Sequence, residues 1–129
     1  MKKKLLSLCL NIALQNNSKH PEFGFYHHFS FVIQDDSILD WGCNRKREPM
    51  QYLGYQTHTK MHSEVDAYFK ARGLLDKGKN FDVINIRLTK TNKIVRSDPC
   101  PCCFSFLRKA GARKIFFTTS LGNFASMNF

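Results

Sequence analysis

The chain has no run of about eighteen apolar residues, so no segment reads as a membrane-spanning helix. It has no internal repeat and no low-complexity stretch, which excludes solenoid and tail-like architectures. Acidic residues are scarce: 10 Asp+Glu stand against 20 Lys+Arg, a net charge of +10. A surface so basic predicts attraction to phosphate groups. The cysteines do not suit a disulfide framework, because they number five and three of them bunch at Cys100, Cys102 and Cys103. That usage fits a reducing compartment, and the cytoplasm is expected.

What is present reads as one domain, residues 1–129, with a single core fed by 43% hydrophobic residues and 12 Phe. Lys2-Lys3-Lys4 followed by Leu5 to Leu10 mimics a secretory leader. Asn11 interrupts that stretch, however, and no small-x-small cleavage site follows. Leu5, Leu8, Cys9, Ile12 and Ala13 fall instead on one stripe of an amphipathic helix. Phe29 to Ile33 and Ile38 to Cys43 read as a hairpin around Gln34-Asp35-Asp36-Ser37, and Asn44 to Lys60 as a long loop. A helix follows over His62 to about Arg72, then a strand over Phe81 to Leu88 in which Asn85 and Arg87 interrupt the apolar residues. Lys93 to Arg96 extends toward the cysteines. Cys100 to Ala110 is a further helix stopped by Gly111, Lys114 to Thr119 a strand, and the end turns into a last short strand. The expected fold class is α/β, a three-layer sandwich with a mixed sheet of about five strands and helices on both faces.

The chemistry lies in His62-Ser63-Glu64 and Pro99-Cys100-Pro101-Cys102-Cys103, which read together as H-x-E…P-C-x-x-C. H-x-E alone is close to noise, and a lone C-x-x-C also occurs in redox pairs and in halves of zinc ribbons. A ribbon needs a second pair, yet Cys9 and Cys43 stand singly; a redox pair leaves His62 and Glu64 unexplained. One imidazole and two thiolates give three ligands, one short of the tetrahedron that zinc prefers, and an open fourth position is the mark of a catalytic zinc. Zn2+ is therefore the expected cofactor, with His62, Cys100 and Cys103 as its ligands. Glu64 is left over as the group that moves protons. Both halves sit at predicted helix starts, whose positive ends favour thiolates. Cys102 is expected in packing or in a pocket wall. A register that uses Cys102 as a ligand stays open, but it forgoes Pro99 as the helix-starting proline.

These motifs resemble the cytidine deaminase-like superfamily, and the resemblance runs from the first hairpin to about Thr119. It implies that both motif segments start neighbouring helices over one sheet, and that Asn44 of Gly42-Cys43-Asn44 contacts the substrate. Arg45, in the basic run Arg45-Lys46-Arg47, follows at the expected pocket mouth. Tyr52, Tyr55 and His58 lie in the same loop as candidates for base stacking or phosphate binding. Ser97 of Ser97-Asp98-Pro99-Cys100 is similar to the Ser-x-Pro-Cys lead-in of polynucleotide cytosine deaminases and is a candidate substrate contact. The spelling Pro-Cys-Pro-x-Cys also occurs in guanine and tRNA adenosine deaminases. Ser63 stands where many relatives carry Ala. Only ten residues follow Thr119, closer to the compact nucleoside deaminases, which mostly use Cys in place of His62.

The reading drawn from this is a zinc-dependent hydrolytic deaminase converting cytosine to uracil in a nucleotide or single-stranded nucleic acid. The resemblance also implies a homo-oligomer, and no membrane partner is expected. Three alternatives remain open: an adenine or guanine deaminase at the same site, a nucleic-acid-binding protein with an idle zinc site, and a small zinc-stabilised partner-binding domain. Retention of Glu64 speaks against the second, and a site of only three protein ligands against the third.

Overall fold

The computed structural model describes residues 1–20, 26–46, 50–52, 55–57 and 60–129, with side chains for 1–20, 26–45 and 61–129. Helix α1 (Lys3–Asn16) buries Leu5, Cys9 and Ala13, one residue per turn along a single stripe. Leu8, expected on that stripe, is half exposed at the stripe's margin. Strands β1 (Tyr26–Gln34) and β2 (Ser37–Cys43) form an antiparallel hairpin. Asp35 and Asp36 both take positive φ, 52° and 58°, in the two-residue turn between them. Such a turn matches the right-handed twist of its strands, and Asp is one of the few residues that tolerates it.

The stretch expected as a long loop carries four short strands: β3 (Arg45–Lys46), β4 (Met50–Tyr52), β5 (Tyr55–Thr57) and β6 (Lys60–Met61). Arg45 pairs with Met61, Lys46 with Lys60, and Met50 through Tyr52 with Thr57 through Tyr55, as two separate two-stranded antiparallel sheets. The alternation of polar and apolar residues is too weak in this stretch to announce strands. Helix α2 (Ser63–Ala71), strand β7 (Phe81–Thr89), the two-residue strand β8 (Ile94–Val95), helix α3 (Pro101–Ala110), strand β9 (Ala112–Thr118) and strand β10 (Phe124–Asn128) complete the chain.

Five strands line up as β10-β9-β7-β1-β2, with β8 paired to β7 as a sixth. β7 and β9 are parallel, joined through α3, and the remaining pairs are antiparallel. The sheet is mixed and has helices on both faces. Alternation along the strands sorts the side chains. Phe29, Phe31, Ile33, Ile84, Ile86 and Leu88 meet α1, whereas Val32, Val83 and Ile115 meet Val65, Ala67 and Ala71 of α2 and Phe106 and Leu107 of α3. β7 is buried on both faces over nearly its whole length. The α2–α3 face also carries polar side chains toward one end, Ser30 and Asn85 among them, and there the site is built. No helix among the described residues is long and apolar enough to cross a membrane.

Candidate metal and active site

Both motif segments end as helix caps. His62 is the N-cap of α2 and Cys100 the N-cap of α3. Pro101, rather than Pro99, occupies the first helical turn, where its missing N–H costs nothing. The Cys100 sulfur accepts the Cys103 N–H at 3.4 Å, the bond a capping oxygen ordinarily makes. One helical turn thus brings both sulfurs to the same side. His62 Nδ1 reaches them from the neighbouring helix, 3.1 Å from Cys103 Sγ and 3.5 Å from Cys100 Sγ.

The three donor atoms lie within 4.8 Å of one another. A tetrahedral zinc with ordinary bond lengths spaces nitrogen and sulfur donors by about 3.5 Å, so the cluster has the size and donor chemistry for zinc. Cys103 is buried, Cys100 half-buried and His62 exposed, so the cluster opens toward solvent on its His62 side. Hydrogen bonds from Cys103 and then from His62 bring the Cys100 thiol down to about 4. The Cys103 thiol is raised, first by its bond to Cys100 and then by burial. One sulfur of the pair is therefore a ready thiolate. Cys102 is exposed and forms neither wall nor core. Accordingly, Cys102→Ser leaves zinc stoichiometry at wild type, while Cys100→Ser and Cys103→Ser each lower it by at least about tenfold at fixed free zinc, measured by metal analysis after dialysis.

A cavity of about 550 Å³ stands in front of the cluster, lined among others by His62, Cys100, Glu64, Asn44, His28, Asn85 and Arg87. Glu64 is only 5% exposed. Behind it runs a chain of short polar contacts: Ser63 Oγ donates to Glu64 Oε1 at 3.0 Å, Ser63 and Ser30 hydroxyls meet at 2.7 Å, and Ser30 Oγ donates to Asn85 Oδ1 at 2.7 Å. Asn85 Nδ2 ends the chain on the Ser97 carbonyl at 3.2 Å.

Asn44 lines the cavity. Its Oδ1 accepts the His28 N–H at 2.9 Å, which leaves the amide NH2 end to meet a ligand. Arg45 does not line it. Its guanidinium is tied to Asp66 Oδ1 by Nε at 2.9 Å and Nη2 at 2.6 Å. Asp66 is fully buried and also accepts the Cys43 N–H, so Arg45, together with Lys70 at 3.2 Å from Asp66 Oδ2, supplies the charge that a buried carboxylate requires. Ser97 is buried as well: its hydroxyl donates to the Asn85 carbonyl at 2.9 Å and receives the Thr118 N–H at 2.8 Å, stitching the segment before Cys100 to β7 and β9. Tyr55 falls in β5, and its side chain, like those of Tyr52 and Lys46, lies outside what is described; Arg47 and His58 lie outside the described residues altogether.

Sequence reasoning missed His28, Asn85 and Arg87 as cavity residues. The signal was there in Asn85 and Arg87, two polar residues spaced by two among the apolar residues Val83 to Leu88. His28 and Arg87 face each other across β1 and β7, as Ser30 and Asn85 do. Burial, then the charges of Arg87 and His62, bring His28 down to about 4, so its ring is neutral at pH 7.

No protein-family model matches the sequence, and no curated protein matches it. Solved structures do. A dCMP deaminase from the cyanophage S-TIM5, in complex with dCMP and dUMP, is 18% identical over 89% of this chain and 81% of its own, with a TM-score of 0.57. Its apo form gives 20% identity over 89% and 82%, with a TM-score of 0.56. A cytidine deaminase from Burkholderia pseudomallei is 16% identical over 99% of this chain and 93% of its own, at a TM-score of 0.63. The chain has the cytidine deaminase-like fold. Identities this low establish the fold alone. Within it, the His62, Cys100 and Cys103 cluster stands at the N-caps of α2 and α3, the arrangement that the motif resemblance implies for this fold.

Proposed function

We propose that the chain is a zinc-dependent hydrolytic deaminase that converts cytosine to uracil in a nucleotide or a single-stranded nucleic acid. One observation carries the reading: Glu64, which the three-donor cluster does not need, lines the same cavity as His62 and Cys100. A purely structural metal site has no use for a buried carboxylate beside an open cavity. The deaminase-like fold of the neighbours supports the same chemistry, and the dCMP deaminase among them supports a nucleotide substrate.

His62, Cys100 and Cys103 would hold the zinc ion, which would supply the Lewis acidity that makes water nucleophilic near neutral pH. The residues of the chain do the rest. Glu64 Oε1 takes a proton from the attacking water and delivers it to the ring nitrogen. It then takes the remaining proton from the hydroxyl added to the carbon and passes it to the amine, which leaves as ammonia when the carbon–nitrogen bond breaks and the carbonyl forms. The polar chain behind Glu64 suits a group that alternates in this way. With Ser63 donating to Glu64 and Ser30 donating to Asn85, the 2.7 Å contact between the two hydroxyls lacks a proton. A proton on Glu64 Oε1 reverses the first bond and supplies it. Asn44 orients the substrate through its amide, and neutral His28 forms part of the wall.

The test is a mixed panel of nucleosides, nucleotides and single-stranded DNA and RNA oligonucleotides, incubated with the zinc-loaded protein and read by mass spectrometry. The proposal expects a gain of about one mass unit on a cytosine-bearing member. Silence across the panel overturns deamination, and a gain confined to adenine or guanine members overturns cytosine as the base.

A further inference from the structure

Arg87 is the one Arg or Lys among the described residues lining the cavity in front of the metal cluster. Two other cations among the described residues near this end of the fold are matched. Arg45 is held by Asp66, and Arg96 Nε pairs with Asp98 Oδ1 at 2.9 Å, which also occupies the one Asp that lines the cavity. Among the described residues no carboxylate pairs with Arg87. Its Nη1 makes only a 3.5 Å contact to the Arg96 carbonyl, and its Nε is buried with no hydrogen-bond partner. The guanidinium is nonetheless held in place, since it lies over the Tyr26 ring, 4.2 Å from the centroid. A guanidinium with no carboxylate partner among the described residues, held on an aromatic ring at the wall of a substrate-sized cavity, is suited to bind an oxyanion there.

We propose that Arg87 binds the 5′-phosphate of the substrate nucleotide and so selects nucleotides over nucleosides. The inference rests on the deaminase reading and deepens it by naming the substrate class. His28, opposite Arg87 on β1, lines the same cavity as Arg87, His62 and Cys100. One cavity wall thus carries both a candidate phosphate site at Arg87 and the metal cluster with Glu64. A nucleotide has a phosphate and a reactive base at its two ends, whereas a free nucleoside leaves the guanidinium without an anion.

The experiment measures dissociation constants of zinc-loaded wild type, Arg87→Met and Arg87→Lys for dUMP, deoxyuridine and an unphosphorylated trinucleotide with a central deoxyuridine. None of these ligands needs turnover to report binding. Wild type is expected to prefer dUMP to deoxyuridine by about tenfold or more, Arg87→Met to lose that preference, and Arg87→Lys to keep part of it, since a point charge replaces a fork. Deoxyuridine binding stays within about twofold in both variants, which certifies that the pocket is intact. Arg87-dependence for dUMP alone assigns a mononucleotide substrate; dependence for the trinucleotide as well assigns the phosphodiester of a strand. Equal losses for dUMP and deoxyuridine, or no loss for either phosphate-bearing ligand, overturn the proposal. Because binding is read without turnover, an inactive protein that keeps the Arg87-dependent preference refutes the deaminase reading while sparing the phosphate site. An active protein without that preference does the reverse.

Discussion

Glu64→Gln lowers kcat for cytosine deamination by about a thousandfold or more, with zinc stoichiometry and Tm unchanged. The size follows from its two proton transfers. Gln has the shape of Glu and still accepts from the Ser63 hydroxyl now 3.0 Å from Glu64 Oε1, so the buried contact survives. It has no basic oxygen to take a proton from water or return one to the amine. Since neither His62, Cys100 nor Cys103 is altered, metal analysis on the variant separates a lost proton carrier from a lost ion. Turnover within about tenfold of wild type would remove Glu64 from its assigned role.

Gly42→Ala has the second largest expected effect, this time on folding. Gly42 sits in β2 where α2 crosses it, and a Cβ built there lies 2.5 Å from Asp66 Oδ2, 2.6 Å from the Ala67 nitrogen and 2.9 Å from the Asp66 carbonyl carbon. Two of these three neighbours are helix backbone, so relief requires α2 to move as a body. Overpacking of that kind costs about 1–3 kcal/mol or more, a fall in Tm of about 5–15 °C for a chain of this size. A displaced α2 also carries His62 and Glu64 away from the α3 cysteines, so zinc affinity falls along with stability. Gly73→Ala is the control, since a Cβ there meets nothing within 4 Å. Calorimetry that found both variants within about 1 °C of wild type would show that β2 and α2 do not approach as described.

The same close approach explains part of what the sequence disclosed. Gly42-Cys43-Asn44 was legible only through its resemblance to a family pattern, and the fold supplies the reason for each position: a missing side chain under α2, an N–H for Asp66, and an amide for the His28 backbone. His62 and Cys100 were legible at helix starts because caps and prolines act within a few residues of themselves, though the first-turn proline is Pro101. Contributions from distant strands were harder to read. His28 and Arg87 become neighbours only through the pairing of β1 with β7, and no spacing along the chain announces that register. Arg45 and Ser97 show the converse limit. Both lie beside motif residues in sequence, yet Arg45 turns to a buried carboxylate on α2 and Ser97 to the β7 and β9 backbone. Adjacency in sequence placed them near the site, and the competing demand of a buried charge or an unpaired backbone group decided where they point.

The most direct test of the central claim is to run the reaction of the zinc-loaded protein with dCMP in ordinary and in oxygen-18 water and weigh the product. Hydrolytic deamination predicts a gain of about one mass unit in ordinary water and about three in the labelled solvent, with one ammonia released per product formed. A protein that binds zinc at full occupancy yet leaves the mass of dCMP and of every other cytosine-bearing substrate unchanged in both waters contradicts the account.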